Sequence, residues 1–92
     1  MLYRQINIEG RYGFDLYPNP ADKYSIIRFK PGGNEYTELR VYDPAGKILI
    51  EKTIPAGQTP YQLETDTWNS GLYFVEIRSG QKVSTGKLLV QH

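Results

Sequence analysis

The chain has no cysteine, and its 92 residues hold one histidine, one methionine and one tryptophan. Without cysteine there is no disulfide framework and no thiolate metal site, so stability must come from packing. The lone histidine, His92, has no second imidazole or thiol with which to complete a zinc site. It is the last residue of the sequence and reads as a loose chain end. A Ser/His/Asp triad would need that same terminal ring held rigidly. A marked excess of either charge is missing too: 11 basic residues face 10 acidic ones, for a net charge of +1. That balance leaves no electrostatic footprint for nucleic acid or an anionic membrane. The apolar runs, such as Leu72-Tyr73-Phe74-Val75, are far shorter than the ~20 residues of a membrane-spanning helix. Met1-Leu2-Tyr3-Arg4 lacks the apolar stretch of a signal peptide, so the chain reads as a piece of a longer protein. Asp15, Asp22, Asp43 and Asp66 are scattered at strand ends, where Asp normally serves turns. They do not form the D-x-[DN]-x-[DN]-G spacing of a calcium loop, and no glycine-rich loop leads from strand to helix to cradle a phosphate. No constellation for catalysis, metal or cofactor is visible, so the chain reads as a non-enzyme.

What is present is turn chemistry and aromatic strand formers: 9 Gly, 6 Pro, 8 Tyr and 3 Phe. A chain of this length is one domain and buries roughly two-thirds of its unfolded surface. Residues 1–13 are polar and aperiodic and read as an arm or linker, with the folded domain at 14–92. From there apolar and polar residues alternate, cut by turns every 8–12 residues or so. The alternation predicts strands over Gly13–Tyr17, Tyr24–Lys30, Tyr36–Tyr42, Lys47–Ile54, Pro60–Glu64, Leu72–Arg78 and Gln81–Val90. The turns between them include Pro31-Gly32-Gly33-Asn34, Asp43-Pro44-Ala45-Gly46 and Pro55-Ala56-Gly57. Tyr61, Leu63, Tyr73, Val75 and Ile77 are expected to face inward. In the last strand Val83 is out of phase with Leu88 and Val90, and a bulge near Gly86 would repair the register. Seven short strands without a helical period predict an all-β, immunoglobulin-like sandwich of antiparallel strands, here with no disulfide.

Leu16-Tyr17-Pro18-Asn19-Pro20 stands out. Proline has no N–H for a ladder and pushes the residue before it toward extended geometry, so the segment reads as a rigid strand exit. Trp68, in the corner Thr65–Gly71, is expected to plug one end of the core. Tyr24, Tyr36 and Tyr42 fall on outward faces. With Trp68 they leave open a second reading, a non-catalytic carbohydrate-binding or spacer module of a secreted hydrolase.

Four segments together resemble a known family. They are Leu16-Tyr17-Pro18-Asn19-Pro20-Ala21, then Leu39–Lys47 with its Asp43-Pro44-Ala45-Gly46 turn, then Ser70-Gly71-Leu72-Tyr73-Phe74-Val75, and finally Thr85-Gly86-Lys87-Leu88-Leu89-Val90. Their order and spacing resemble the type A C-terminal sorting domain of the type IX secretion system, over about residues 14–92. The resemblance implies a C-terminal sorting signal that directs an N-terminally fused cargo from the periplasm of a Gram-negative bacterium across the outer membrane. The implied partners are the type IX translocon and a surface sortase-like cysteine protease that cuts the domain off, here within the arm. The cargo is then secreted or held at the cell surface. Neither nucleic acid nor membrane insertion is implied. Gln91-His92 departs from the shorter or basic ending common in the family.

The signal residues are expected to be Pro18, Asn19, Pro20, Gly46, Gly71, Tyr73, Lys87, Leu88, Leu89 and Val90. Pro18–Pro20 and Gly71–Tyr73 would hold the shape. Lys87 and the last strand would be read by the translocon. If that strand is a free edge, its unpaired backbone groups suit strand addition to a receptor or pairing of two copies into a dimer.

Overall fold

The computed structural model describes residues 14–29, 36–55 and 59–92. These residues form seven strands: β1 (Phe14–Tyr17), β2 (Tyr24–Phe29), β3 (Thr37–Tyr42), β4 (Ile48–Ile54), β5 (Tyr61–Glu64), β6 (Gly71–Ser79) and β7 (Lys82–Val90). Each predicted strand coincides with an observed one to about a residue at either end, the usual fraying of element boundaries. Residues 1–13, the Pro31–Asn34 turn, and Ala56 and Gly57 lie outside the described residues.

The strands form two sheets, β1-β2-β5 and β4-β3-β6-β7, in which every strand pair is antiparallel. This is the expected immunoglobulin-like sandwich. It differs from the constant-type arrangement, where the fourth strand joins the first, second and fifth, in that β4 here lies beside β3. The period-two pattern explains the burial. Ile27 and Phe29 of β2 and Leu63 of β5 face Leu39 and Val41 of β3, Tyr73, Val75 and Ile77 of β6, and Leu88 and Val90 of β7. Ile54 closes the core from β4, and each such side chain contributes about 1.5–3 kcal/mol by leaving water.

The register of β7 corrects one expectation. It pairs with β6 without interruption from Gly71↔Val90 to Ser79↔Lys82, so no bulge occurs at Gly86. The phase conflict is resolved on the other side: Val83 is left exposed, and Gly86 shares the inner face with Leu88 and Val90. Gly86 is small because the Phe14 ring fills its place; a Cβ there would lie 3.1 Å from Phe14 Cζ. The irregularity is found instead between β3 and β4. Val41 pairs with Ile50 but Tyr42 with Ile48, which leaves Leu49 as an extra residue and both Ile48 and Leu49 exposed.

Three further expectations are refined. Tyr61 is half-buried rather than fully inward, with Lys52 Nζ 5.8 Å from its ring centroid. Lys52 thereby turns a charge into the seam between the outer strands β4 and β5, a device that discourages edge pairing. Trp68 is half-buried against the core, its ring 4.9 Å from that of Tyr73 at 38°. Tyr24 and Tyr42 lie on the outer faces of different sheets, so they form no common platform for a sugar ring.

Candidate functional site

The four singled-out segments, scattered along the sequence, meet at one end of the sandwich. The contact begins where β1 stops. Tyr17-Pro18 and Asn19-Pro20 are cis peptide bonds, and the chain leaves the three-stranded sheet there and crosses to the outer edge of β7. Pro18 and Pro20 have no N–H to offer that edge. The Asn19 side chain replaces them: its Nδ2 donates to the Lys87 carbonyl at 2.9 Å, and its Oδ1 accepts from the Leu89 N–H at 2.9 Å. One primary amide thus pairs with β7 as a peptide group of a neighbouring strand would. Ala21 continues the pairing, donating to the Leu89 carbonyl at 2.8 Å and accepting from the Gln91 N–H at 2.8 Å. Ala21 and Val90 form an isolated parallel bridge, and both side chains are buried.

The crossing segment is pinned from beneath by two buried hydroxyls. Ser25 Oγ donates to the Pro18 carbonyl at 3.1 Å, and Thr65 Oγ1 donates to the Asp22 carbonyl at 3.1 Å. A buried hydroxyl costs free energy unless bonded, so each is placed to serve a carbonyl that the strand ladder leaves over.

The two middle segments pack beside the first. Gly71 is the first residue of β6 and lies opposite Val90. A Cβ on Gly71 would come 3.0 Å from Pro44 Cγ, so the absence of a side chain there is what lets the Asp43–Gly46 turn pack down. That turn is self-contained. Asp43 Oδ1 accepts from Ala45 N–H and Lys47 N–H, both at 2.9 Å, and Gly46 takes φ of 89°, which favours glycine. Tyr73 lies inward and its hydroxyl donates to the Asn69 carbonyl at 2.6 Å, fastening the Trp68 corner to β6. Between turn and corner lies a cleft of about 430 Å³ lined by Asp43, Pro44, Leu49, Trp68 and Tyr73, among others. The Asp43 Oδ1 and the Tyr73 hydroxyl are already committed to the turn and the corner.

The last segment divides by face. Leu88 and Val90 belong to the core, whereas Lys87 and Leu89 point outward and give their backbone to Asn19 and Ala21. β7 is therefore the outermost strand of its sheet, yet from Lys87 to Gln91 its edge is occupied. Strand addition there would first have to displace Asn19 and Ala21.

His92 corrects a second expectation, that of a loose end. Its Nδ1 lies 2.7 Å from Asp22 Oδ1, its Nε2 lies 2.7 Å from the Trp68 carbonyl, and its N–H donates to Ser70 Oγ at 3.1 Å. Both ring partners are acceptors, so the ring satisfies them together only as the doubly protonated imidazolium. The Asp22 hydrogen bond, the Trp68 carbonyl and the nearby charges of Asp22 and Asp66 accordingly raise the His92 pKa above its ordinary 6.5. The ring ties the crossing segment, the Trp68 corner and the chain end to one another.

Sequence reasoning did not find Ser25, Thr65 or Asp22 as parts of this assembly, and it placed Pro44 and Ser70 in the family segments without giving either a contact. Of the two buried hydroxyls Ser25 carried a signal, since it stands at a position where β2 alternation calls for an apolar residue. The contacts of Pro44 with Gly71 and of Ser70 with His92 carried none, because the partners lie far away in sequence. Among the described residues no group of three or more His, Cys, Asp or Glu could hold a metal ion.

The hydrogen bonds and packing of these residues hold a shape. A family model described as a secretion system C-terminal sorting domain matches residues 15–91. No curated protein matches the chain. The matched span takes in the clasp that Asn19 and Ala21 form on the end of β7, and the all-β sandwich agrees with it. The chain belongs to the type IX secretion C-terminal sorting domains, a family that is non-catalytic in general and serves as the signal for secretion of an attached protein through the bacterial outer membrane.

Proposed function

We propose that the folded clasp itself is the address: the translocon reads a preassembled surface at this end of the sandwich, with Lys87 and Leu89 outermost, and not an extended tail. The observation that carries this reading is the Asn19 amide on the backbone of Lys87 and Leu89, which ties the first family segment to the last. Pro18, Asn19, Pro20, Gly46, Gly71 and Tyr73 act as shape-holding residues. Leu88 and Val90 anchor the last strand in the core, and Lys87 and Leu89 present side chains to the machinery. The cargo precedes the domain. A sortase-like cysteine protease at the cell surface cuts within residues 1–13, and the cargo is then released or attached to the surface.

The test is a reporter with a Sec signal, fused ahead of the full chain in a bacterium with a type IX system. The reporter is expected in the medium or at the cell surface. It should stay in the periplasm when Lys87–His92 is deleted, and also when the translocon is absent. Secretion by the deleted form, or by a strain lacking the translocon, refutes the reading. Mass spectrometry of the released reporter should place its C-terminus within residues 1–13; an end inside the folded domain would refute the cleavage site.

A further inference from the structure

The outer face of the four-stranded sheet is divided in two. The register sets Ile48, Tyr42, Phe74 and Lys87 side by side across β4, β3, β6 and β7, with Leu72 opposite Leu89 in the next row toward the clasp. Ile48, Leu72, Phe74 and Leu89 are 52%, 39%, 38% and 37% exposed. The other half of the same face carries charged side chains, several of them bonded to one another. Arg40 Nε donates to Glu51 at 2.9 Å, Arg78 Nη2 to Glu76 at 3.4 Å, and the Tyr42 hydroxyl to Glu76 at 2.7 Å. Large apolar side chains gathered on one half of a sheet, in a small protein that has a core of its own, mark an interaction surface more than a packing error.

The charge pattern identifies what fits it. Lys87 is the one ionised group in the apolar rows, and among the described residues no carboxylate pairs with it. Glu76, diagonal to it across β6 and β7, is already engaged by Tyr42 and Arg78. A second copy of this half-face would bring another unmatched lysine and no carboxylate. An anionic lipid surface is recognised through clusters of ~4–8 basic residues, and this half-face carries one. A protein surface that is apolar with a carboxylate facing Lys87 satisfies both the apolar rows and the cation.

We propose that the half-face Ile48–Tyr42–Phe74–Leu72–Leu89 with Lys87 is a docking surface for such a protein, an apolar surface carrying an acidic side chain. This rests on the sorting reading and extends it: the partner is a component of the secretion machinery, engaged by the flat sheet face beside the clasp. Phe74 is the anchor, because exposed aromatics at the centre of a patch carry a large share of binding energy.

The test uses the same reporter fused to the full chain. Phe74→Glu and Leu89→Glu put charge into the apolar half. Val83→Glu puts the same charge on the same sheet face at the charged end, opposite Arg78. The first two should lower the secreted fraction by about tenfold or more, and the third should leave it unchanged. Lys87→Glu should lower it as well, and Lys87→Arg should restore it. All of these side chains are exposed, and protease resistance of the domain in periplasmic extracts checks that each variant folds. If Val83→Glu lowers secretion as much as Phe74→Glu does, or if folded Phe74→Glu is secreted normally, the docking surface is refuted. If the unaltered chain fails to secrete the reporter, it is the sorting reading that falls. Two further outcomes overturn the choice of partner. One is a dimer in sedimentation that Phe74→Glu dissociates. The other is flotation with phosphatidylglycerol/phosphatidylethanolamine vesicles that Phe74→Glu abolishes while secretion continues.

Discussion

Replacing Asn19 by alanine removes both hydrogen bonds by which one side chain pairs with β7. Each typically contributes about 0.5–1.5 kcal/mol net, so the pair amounts to about 1–3 kcal/mol. The site is exposed, and water can take over the Lys87 carbonyl and the Leu89 N–H. The expected loss is therefore in the lower half of that range, about 1–2 kcal/mol. For a domain of this size each kcal/mol corresponds to about 4–8 °C in melting temperature. The variant should still fold, since stabilities of about 5–15 kcal/mol are usual. Urea unfolding followed by the fluorescence of Trp68 measures the loss, and amide exchange locates it. The Leu89 N–H, which loses its acceptor, should exchange faster, and so should the Ala21 and Gln91 N–H groups that continue the pairing. N–H groups in the centre of β6 should be slowed or hastened only as far as global stability changes. Unchanged stability together with unchanged exchange at Leu89 would refute the idea that Asn19 closes this edge.

Gly71→Ala should cost about 1–3 kcal/mol by overpacking, because its Cβ would meet Pro44 Cγ at 3.0 Å. Pairing it with Pro44→Ala should recover part of that loss, and a double-mutant cycle by urea unfolding measures the coupling. The His92 clip predicts a pH dependence. Its folded-state pKa is raised, so its contribution is full below the unfolded value of 6.5 and fades as pH rises through the folded one. Urea midpoints of the unaltered chain and His92→Ala should differ below that window and converge at alkaline pH. A constant difference across the range would show that the ring acts by packing alone.

Much of the sandwich was legible because strands bury alternate residues, and the runs Ile27–Phe29, Leu39–Val41 and Tyr73–Ile77 say so without ambiguity. β7 was harder. Val83, Leu88 and Val90 are all apolar, and alternation alone cannot tell a bulge from a hydrophobic residue left in water. The Gly86–Phe14 contact that decides the matter joins opposite ends of the domain. The candidate site divides along the same line. Pro18-Asn19-Pro20 was recognisable as a rigid exit, since proline acts on its immediate neighbours. That Asn19 would serve as a surrogate strand for Leu89 depended on where the exit was aimed. His92 was misread for a related reason: chain ends are usually loose, and what holds this one is a carboxylate, a carbonyl and a hydroxyl from distant segments.

The crossing segment also has a mechanical consequence. It runs parallel to the last strand, with Phe14 at the level of Gly86, Asn19 at Lys87 and Leu89, and Ala21 at Val90. Tension between a polypeptide joined ahead of Phe14 and a grip on the end of β7 would slide these two segments past each other lengthwise. The Asn19 and Ala21 bonds would then be loaded side by side and would have to yield together, whereas a peeling geometry would break them one at a time. The seam between the first and last segments of the domain is oriented to withstand a pull.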